Sequence, residues 1–138
     1  MTTITNTQLD TLTTTQIAGM TATQVGLITA TQLPTLTTTQ LTALTATQMA
    51  AFISGQISGF LTTQIASLTG TQIGGINLLA AIGLTTTEVS SLTTTQIALV
   101  APSTFLQGLW AAGTVTAMTT TQMSALTSTQ IGALSTYL

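Results

Sequence analysis

The chain is built from one eight-residue unit that is repeated almost without interruption. The stretch Thr37 to Leu44, TTTQLTAL, gives the pattern: Thr-x-Thr-Gln, an aliphatic residue, a small residue, any residue, and a second apolar residue. The repeat places glutamines eight positions apart, at Gln8, Gln16, Gln24, Gln32, Gln40, Gln48, Gln56, Gln64 and Gln72. A short fixed period predicts a stack of similar units that bury their apolar faces against one another.

The register of the repeat holds over nearly the whole chain. We number the octad positions one to eight, with Thr13 at position one and Met20 at position eight. Octads fill residues 5–100 and 103–134, separated by the two-residue insertion Ala101-Pro102, and a half octad stands at each end. Residues 1–138 are therefore predicted to form a single repeat domain, with the apolar positions five and eight as its core.

A single long helix is excluded by the period, because eight residues at about 100° each rotate successive apolar pairs by ~80°. The chain must turn in every octad. Positions one and four, Thr-x-x-Gln, match a capping box, and the apolar positions eight and five on either side of the cap match a hydrophobic staple. Asn77 and Glu88 are substitutions that a cap and a box accept. This pattern predicts an all-α repeat solenoid, a superhelix of short two-turn helices with one helix per octad.

A strand fold satisfies the same period. Positions one, three and five would point inward, and the small residues at six and seven would turn a corner. Pro34 suits a corner better than a helix interior, and Ile53 and Leu61 are poor helix caps. The alternative is therefore a β-solenoid with about three octads per coil. The capping box and the hydrophobic staple occur together in most octads, which favours the helical solenoid over the β-solenoid.

The composition removes most site chemistry. The chain has no Lys, Arg, His or Cys, and its only side-chain carboxylates are Asp10 and Glu88. Without cations it lacks the groups that neutralise phosphates, and without His or Cys it offers no metal cluster. We therefore expect no enzyme, no cofactor or metal, no small-molecule substrate and no nucleic-acid partner.

No membrane or export segment is visible in the sequence. The uncharged stretches Ile73 to Leu84 and Ala98 to Met118 invite a transmembrane interpretation, but the first is short and the second carries Pro102 and Gln107. We expect no membrane-spanning segment. The start of the chain, MTTITNTQ, lacks the basic and apolar regions of a signal peptide.

The recurring unit Thr-Thr-Thr-Gln-Ile-Ala-x-Leu resembles the Thr/Gln-rich octapeptide arrays of large secreted or surface-exposed bacterial proteins, which are often adhesin-like. The resemblance covers residues 5–100 and 119–134. It implies an extracellular or cell-surface location and a structural or adhesive role.

Two octads depart from the pattern and are candidates for lateral contacts between chains. They carry extra apolar or aromatic residues: Leu78, Leu79, Ile82, Phe105, Leu106 and Trp110. Such residues are typical of contact patches, although the octad at 103 follows the insertion, where local repair of packing explains them equally well.

The two ends complement each other in register. Ser135 to Leu138 supply positions one to four, and Met1 to Ile4 of another copy would supply positions five to eight. The predicted head-to-tail junction therefore contains Met1, Ile4, Tyr137 and Leu138. A contact of this kind does not close on itself, so we expect a homopolymer, an extracellular filament or surface layer. The alternative is a monomeric binding module, either an adhesin fragment or a solenoid that binds glycan or ice through the rows of Thr hydroxyls. Ice binding would require the strand fold with a flat exposed face.

Overall fold

The computed structural model describes residues 4–135, and this part of the chain contains helices and turns but no strand. The β-solenoid alternative is therefore wrong. The fold is all-α, and its helices are α1 (Asn6–Asp10), α2 (Thr14–Ala18), α3 (Ala22–Val25), α4 (Thr38–Thr42), α5 (Ala46–Met49), α6 (Ser54–Ile57), α7 (Thr62–Ser67), α8 (Gly70–Gly75), α9 (Leu78–Ala81), α10 (Thr86–Ser91), α11 (Thr94–Leu99), α12 (Gln107–Ala111), α13 (Thr120–Ser124) and α14 (Ser128–Ser135). Two 3-10 turns (Leu33–Thr35 and Thr114–Ala117) and one π-helical turn (Pro102–Leu106) complete it.

The helices are shorter than the two turns that we expected. The regular octads contain four to six helical residues, between one and two turns at 3.6 residues per turn. The reason is the backbone at position eight, which is extended at Leu68 (φ −63°, ψ 143°) and at Leu92 (φ −61°, ψ 135°). The chain changes direction at the last residues of each octad, so the helix is limited to the residues before them.

The capping box starts most of the helices, as the sequence predicts. In α4 the Gln40 backbone N–H donates to the Thr37 hydroxyl at 3.2 Å, and the Thr37 backbone N–H donates to Gln40 Oε1 at 2.9 Å. The same pair of bonds begins α1, α2, α3, α5, α8, α10, α11 and α13. Two N–H groups that a helix cannot satisfy internally are thereby paired in each octad.

Octads with irregular caps keep part of this arrangement. Ile53 and Leu61 offer no side-chain acceptor, yet their backbone N–H groups donate to Gln56 and Gln64 at 2.9 and 2.8 Å. The octad that contains Pro34 narrows to the 3-10 turn Leu33–Thr35, because proline interrupts the α-helical hydrogen bonds.

Positions five and eight form the core, as expected for most octads. The side chains of Leu41, Ile65, Ile73 and Val89 are 0% exposed, and Phe52 and Phe60 pack edge to face with ring centroids 5.5 Å apart. Some exceptions lie at the two ends of the array, where Leu12 and Met20 are half-buried and Met123 and Ile131 are 41% and 46% exposed. Others follow the insertion, where Gln107, Trp110 and Val115 are half-buried. The core is therefore continuous but open at both ends.

Successive parts of the chain pack at a fixed distance along the sequence. Helices three octads apart are in contact, as in α5 with α8, α6 with α9, and α8 with α11. Gly75 lies so close to Ala46 that an added Cβ would stand 2.5 Å from the Ala46 carbonyl oxygen. Gly59 approaches Ala30 in the same way, also 29 positions earlier. Glycine at these positions lets two backbones touch.

The insertion is absorbed locally, in the π-helical turn and α12. Phe105, Leu106 and Leu109 are 0% exposed there, and Gly113 ends the segment in the left-handed conformation (φ 72°) that favours glycine. Phe105 and Leu106 are therefore core residues and do not form a lateral surface, which corrects our expectation for them. Gln107, at a nominal core position, is half-buried.

Candidate functional site

The feature that recurs through the molecule is a hydrogen-bonded link made by the position-four glutamine, which we call the glutamine joint. Its Oε1 accepts from the backbone N–H at position one of its own octad. Its Nε2 donates to the carbonyls at positions five and eight of the octad four repeats earlier. Gln72, for example, donates to Leu41 O at 2.8 Å and to Leu44 O at 2.7 Å.

Each joint connects the start of one helix to the end of another. The carbonyls at the end of a helix have no partner within that helix, and the glutamine side chain supplies one. Seven glutamines donate to both carbonyls, and Gln56 donates to the carbonyls at positions six and eight, Gly26 and Ile28. Together the eight are Gln40, Gln48, Gln56, Gln64, Gln72, Gln96, Gln122 and Gln130. All eight side chains are at most 8% exposed. Buried polar groups are rarely left unpaired, so the joint explains why the repeat requires glutamine.

The joints also show how the insertion is tolerated. Before it, a glutamine lies 28 and 31 positions after its two acceptors, as Gln96 does with Leu68 and Ile65. After it, Gln122 lies 30 and 33 positions after Leu92 and Val89. The separation grows by the two inserted residues, while the paired octad positions stay the same.

Two octads replace the joint with another residue. Asn77, at position one, caps α9 by accepting from the Ala80 N–H at 2.9 Å and donates through Nδ2 to Ala50 O at 2.7 Å. One short amide thus replaces both Thr and Gln, and its Nδ2 donates to position six of the earlier octad (Ala50 O) and more weakly to position eight (Phe52 O, 3.4 Å).

Glu88 is the other replacement and makes only half of the joint. Its Oε2 accepts from the Thr85 backbone N–H and hydroxyl, both at 2.7 Å. Its Oε1 is buried and has no hydrogen-bond partner among the described residues. Burial raises the pKa of the Glu88 carboxyl, and the hydrogen bonds from Thr85 oppose that rise. The cause is the loss of hydration of the charged form.

The two ends of the array present opposite halves of a joint. In the first three octads, Gln8, Gln16 and Gln24 accept from their own caps, but their side chains are exposed and Nε2 donates to no described residue. In the last three octads, no described glutamine donates to the carbonyls of Val115, Met118, Met123, Leu126, Ile131 or Leu134. We call these the amino-terminal face and the carboxy-terminal face.

The residues that the sequence marked for contacts lie in different places. Leu79 is 67% exposed and Ile82 39%, while Leu78 and Trp110 are half-buried. Of the expected junction residues, Ile4 is half-buried and its carbonyl accepts from Gln32 Nε2 at 2.7 Å. Met1, Tyr137 and Leu138 lie outside the described residues.

Sequence reasoning missed the second half of the joint. It assigned position four to the capping box, which uses only Oε1. The signal was the near-absence of Glu at this position: a capping box accepts Glu or Gln equally, whereas a donor to carbonyls must be Gln.

Comparison with known protein families, curated proteins and solved structures finds no match to this chain. Within the described residues, none of the helices has the length and apolar character needed to cross a bilayer.

Proposed function

We propose that this chain is a non-catalytic structural protein that folds as an α-solenoid and assembles head to tail into an extracellular filament or surface layer. The contacts between octads support the solenoid. The glutamine of each octad donates to the end of the octad four repeats earlier, and the helix of the same octad packs on the helix three repeats earlier. Each octad therefore contacts two neighbouring octads of the preceding layer. About three and a half octads, or roughly 29 residues by the spacing of Gly75 and Ala46, would make one coil.

The observation that carries the assembly proposal is the exposure of core positions at the ends. Position five is 0% exposed at Ile57, Ile65 and Ile97 but 41% at Met123 and 46% at Ile131. Repeat arrays normally close their ends with polar capping units. The described ends carry the same octad as the middle, so each presents a surface that a further coil would bury.

The composition supports assembly as well. A net charge of −2 on 138 residues gives little electrostatic repulsion between copies.

The extracellular location rests on the resemblance to Thr/Gln-rich surface arrays. Imaging the native cell surface with an antibody to the chain tests it.

Light scattering and negative-stain electron microscopy of the purified chain test the assembly. We expect filaments whose length grows with protein concentration, since a head-to-tail contact stays open. A monodisperse monomer at all concentrations would refute assembly and favour the alternative, a monomeric binding module whose exposed Thr hydroxyls bind glycan.

A further inference from the structure

We infer that the partner of each end is a second copy of this chain, held by new glutamine joints in which Gln8, Gln16 and Gln24 of one copy donate to the carboxy-terminal face of the next. This inference rests on the proposed function and specifies its interface. The occupant is identified by the match between three exposed amide donors and carbonyl pairs that recur at the same eight-residue spacing.

The register of the joint follows from the pairing rule inside the chain. Every intact joint links an octad to the one four repeats earlier. The bond from Gln32 Nε2 to Ile4 O places Ile4 at position eight of the octad that precedes the first. If the other copy's octad 127–134 directly precedes that octad, the first octad lies four repeats after the other copy's octad 111–118. Gln8 would then donate to Val115 and Met118, Gln16 to Met123 and Leu126, and Gln24 to Ile131 and Leu134.

One bond already present in the molecule supports this register. Gln32 is the position-four residue of the fourth octad, and its Nε2 donates to Ile4 O at 2.7 Å, 28 positions earlier. Interior joints use the same separation for position eight, as in Gln64 with Leu36. Ile4 therefore already serves as position eight of the octad that precedes the first.

The backbone at Val115 and Met118, on the carboxy-terminal face, has the geometry of an interior acceptor site. Met118 ends its turn in an extended conformation (φ −64°, ψ 132°), close to that of Leu92 (φ −61°, ψ 135°), whose carbonyl accepts from Gln122 at 2.6 Å. A carbonyl at position five accepts twice in an interior joint. Leu41 O takes both the Leu44 N–H and Gln72 Nε2, so the bond from Met118 N–H to Val115 O leaves room for Gln8.

Apolar surfaces accompany these polar groups. The amino-terminal face carries the half-buried Leu12 and Met20 and an apolar cleft lined by Ile4, Met20, Gln24 and Leu27. The carboxy-terminal face exposes Met123 and Ile131. The two faces are different surfaces of one chain, so the contact is heterologous and each copy keeps one face available for the next.

The test replaces the three donors by acids in one variant, Gln8→Glu with Gln16→Glu and Gln24→Glu. The intrachain caps should survive, because Glu88 caps α10 through a carboxylate. We expect the concentration needed for assembly at pH 7 to rise by about 100-fold or more, since three donors are lost. Below the ordinary Glu pKa of 4.5, the protonated acids donate again and assembly should recover.

The matched control places the same three charges one position earlier, as Thr7→Glu with Thr15→Glu and Thr23→Glu. Position three stays exposed even in interior octads, as at Thr39, Thr63 and Thr95, so stacking does not cover it. The control should assemble like the wild-type chain. If the wild-type chain assembles and the Gln variant assembles equally well at pH 7, the register is wrong while the proposed function stands; a wild-type chain that stays monomeric overturns both.

A mixing experiment distinguishes a blocked face from a variant that fails to fold. A second variant, Met123→Glu with Ile131→Glu, blocks the carboxy-terminal face only. Each variant alone should be monomeric, and the mixture should give a one-to-one complex through the two intact faces, measured by light scattering. A mixture that stays monomeric, or that grows beyond a dimer, overturns the inference.

Discussion

Glutamine differs from glutamate in its side-chain NH2 group, which donates hydrogen bonds where a carboxylate has no donor. Glu88 shows what the loss of this group does in the fold. The octad four repeats before Glu88 offers the carbonyls of Ile57 and Phe60. A glutamine at position 88 would donate to them, but a carboxylate has no hydrogen to donate. We predict that Glu88→Gln raises the free energy of unfolding at pH 7 by about 1–3 kcal/mol, because the amide restores the missing bonds. Denaturant unfolding measures this, with Gln72→Glu as the reverse change at an intact joint. A Gln72→Glu variant as stable as wild type would contradict the role of the donor.

The same residue gives a pH dependence whose sign follows from its raised pKa. The folded chain holds the Glu88 proton more tightly than the unfolded chain, whose carboxyl has the ordinary value of 4.5. The stabilisation is therefore fully present below pH 4.5 and is lost as pH rises through the folded pKa. The helix α7 and the turn Thr114–Ala117, which pack against α10, contain no titratable side chain. Thermal unfolding should show wild type gaining stability on acidification, and Glu88→Gln should lose this gain.

At the scale of single helices, the two missing caps offer a stabilising substitution. Ile53 is 60% exposed, so little apolar burial is lost when it is replaced. Ile53→Thr would complete the box with Gln56 and should raise stability by about 1 kcal/mol. Ile53→Val, which is similar in shape but has no acceptor, is the control for thermal unfolding. An equal gain from valine would show that the cap is not the cause.

Packing between helices depends on small residues at the points of closest approach. A Cβ added at Gly83 would stand 2.1 Å from the Ser54 carbonyl oxygen, whereas one added at Gly55 meets nothing within 4 Å. Gly83→Ala should therefore destabilise by about 1–3 kcal/mol through overpacking. Gly55→Ala, inside α6, should stabilise by up to about 1 kcal/mol through helix propensity. Denaturant unfolding of the two variants should show shifts of opposite sign; shifts of the same sign would contradict the packing.

At the scale of the whole molecule, the sequence predicts units better than their stacking. The box of Thr37 with Gln40 and the core positions of Leu41 and Leu44 follow from local spacing, because both depend on residues within one octad. The donation from Gln72 Nε2 to Leu41 does not, because it depends on how far apart along the sequence the contacting octads lie. That separation involves the backbone at position eight and the close approach of Gly75 to Ala46, which no local rule fixes. The burial of Phe105 and Leu106 was missed for a related reason. Leu106 stands at position four, which stacking buries in the interior octads, and Phe105 lies in the π-helical turn that absorbs the insertion.

The array predicts a clear difference between inserting a whole octad and inserting half of one. If TTTQIASL is inserted after Leu68, every downstream glutamine still finds an octad four repeats earlier, because all octads present the same carbonyls. The new unit adds its own joint and buried core, so the midpoint of thermal unfolding should stay the same or rise. If only TTTQ is inserted there, Gln72 would face Thr45 at the start of α5, whereas it now faces Leu41 and Leu44 at the end of α4. The glutamine joints that follow would shift by the same half octad. Far-UV circular dichroism during heating should show a lower midpoint and a broader transition for this variant. Equal midpoints for the two insertions would mean that the joints do not hold the coils in register.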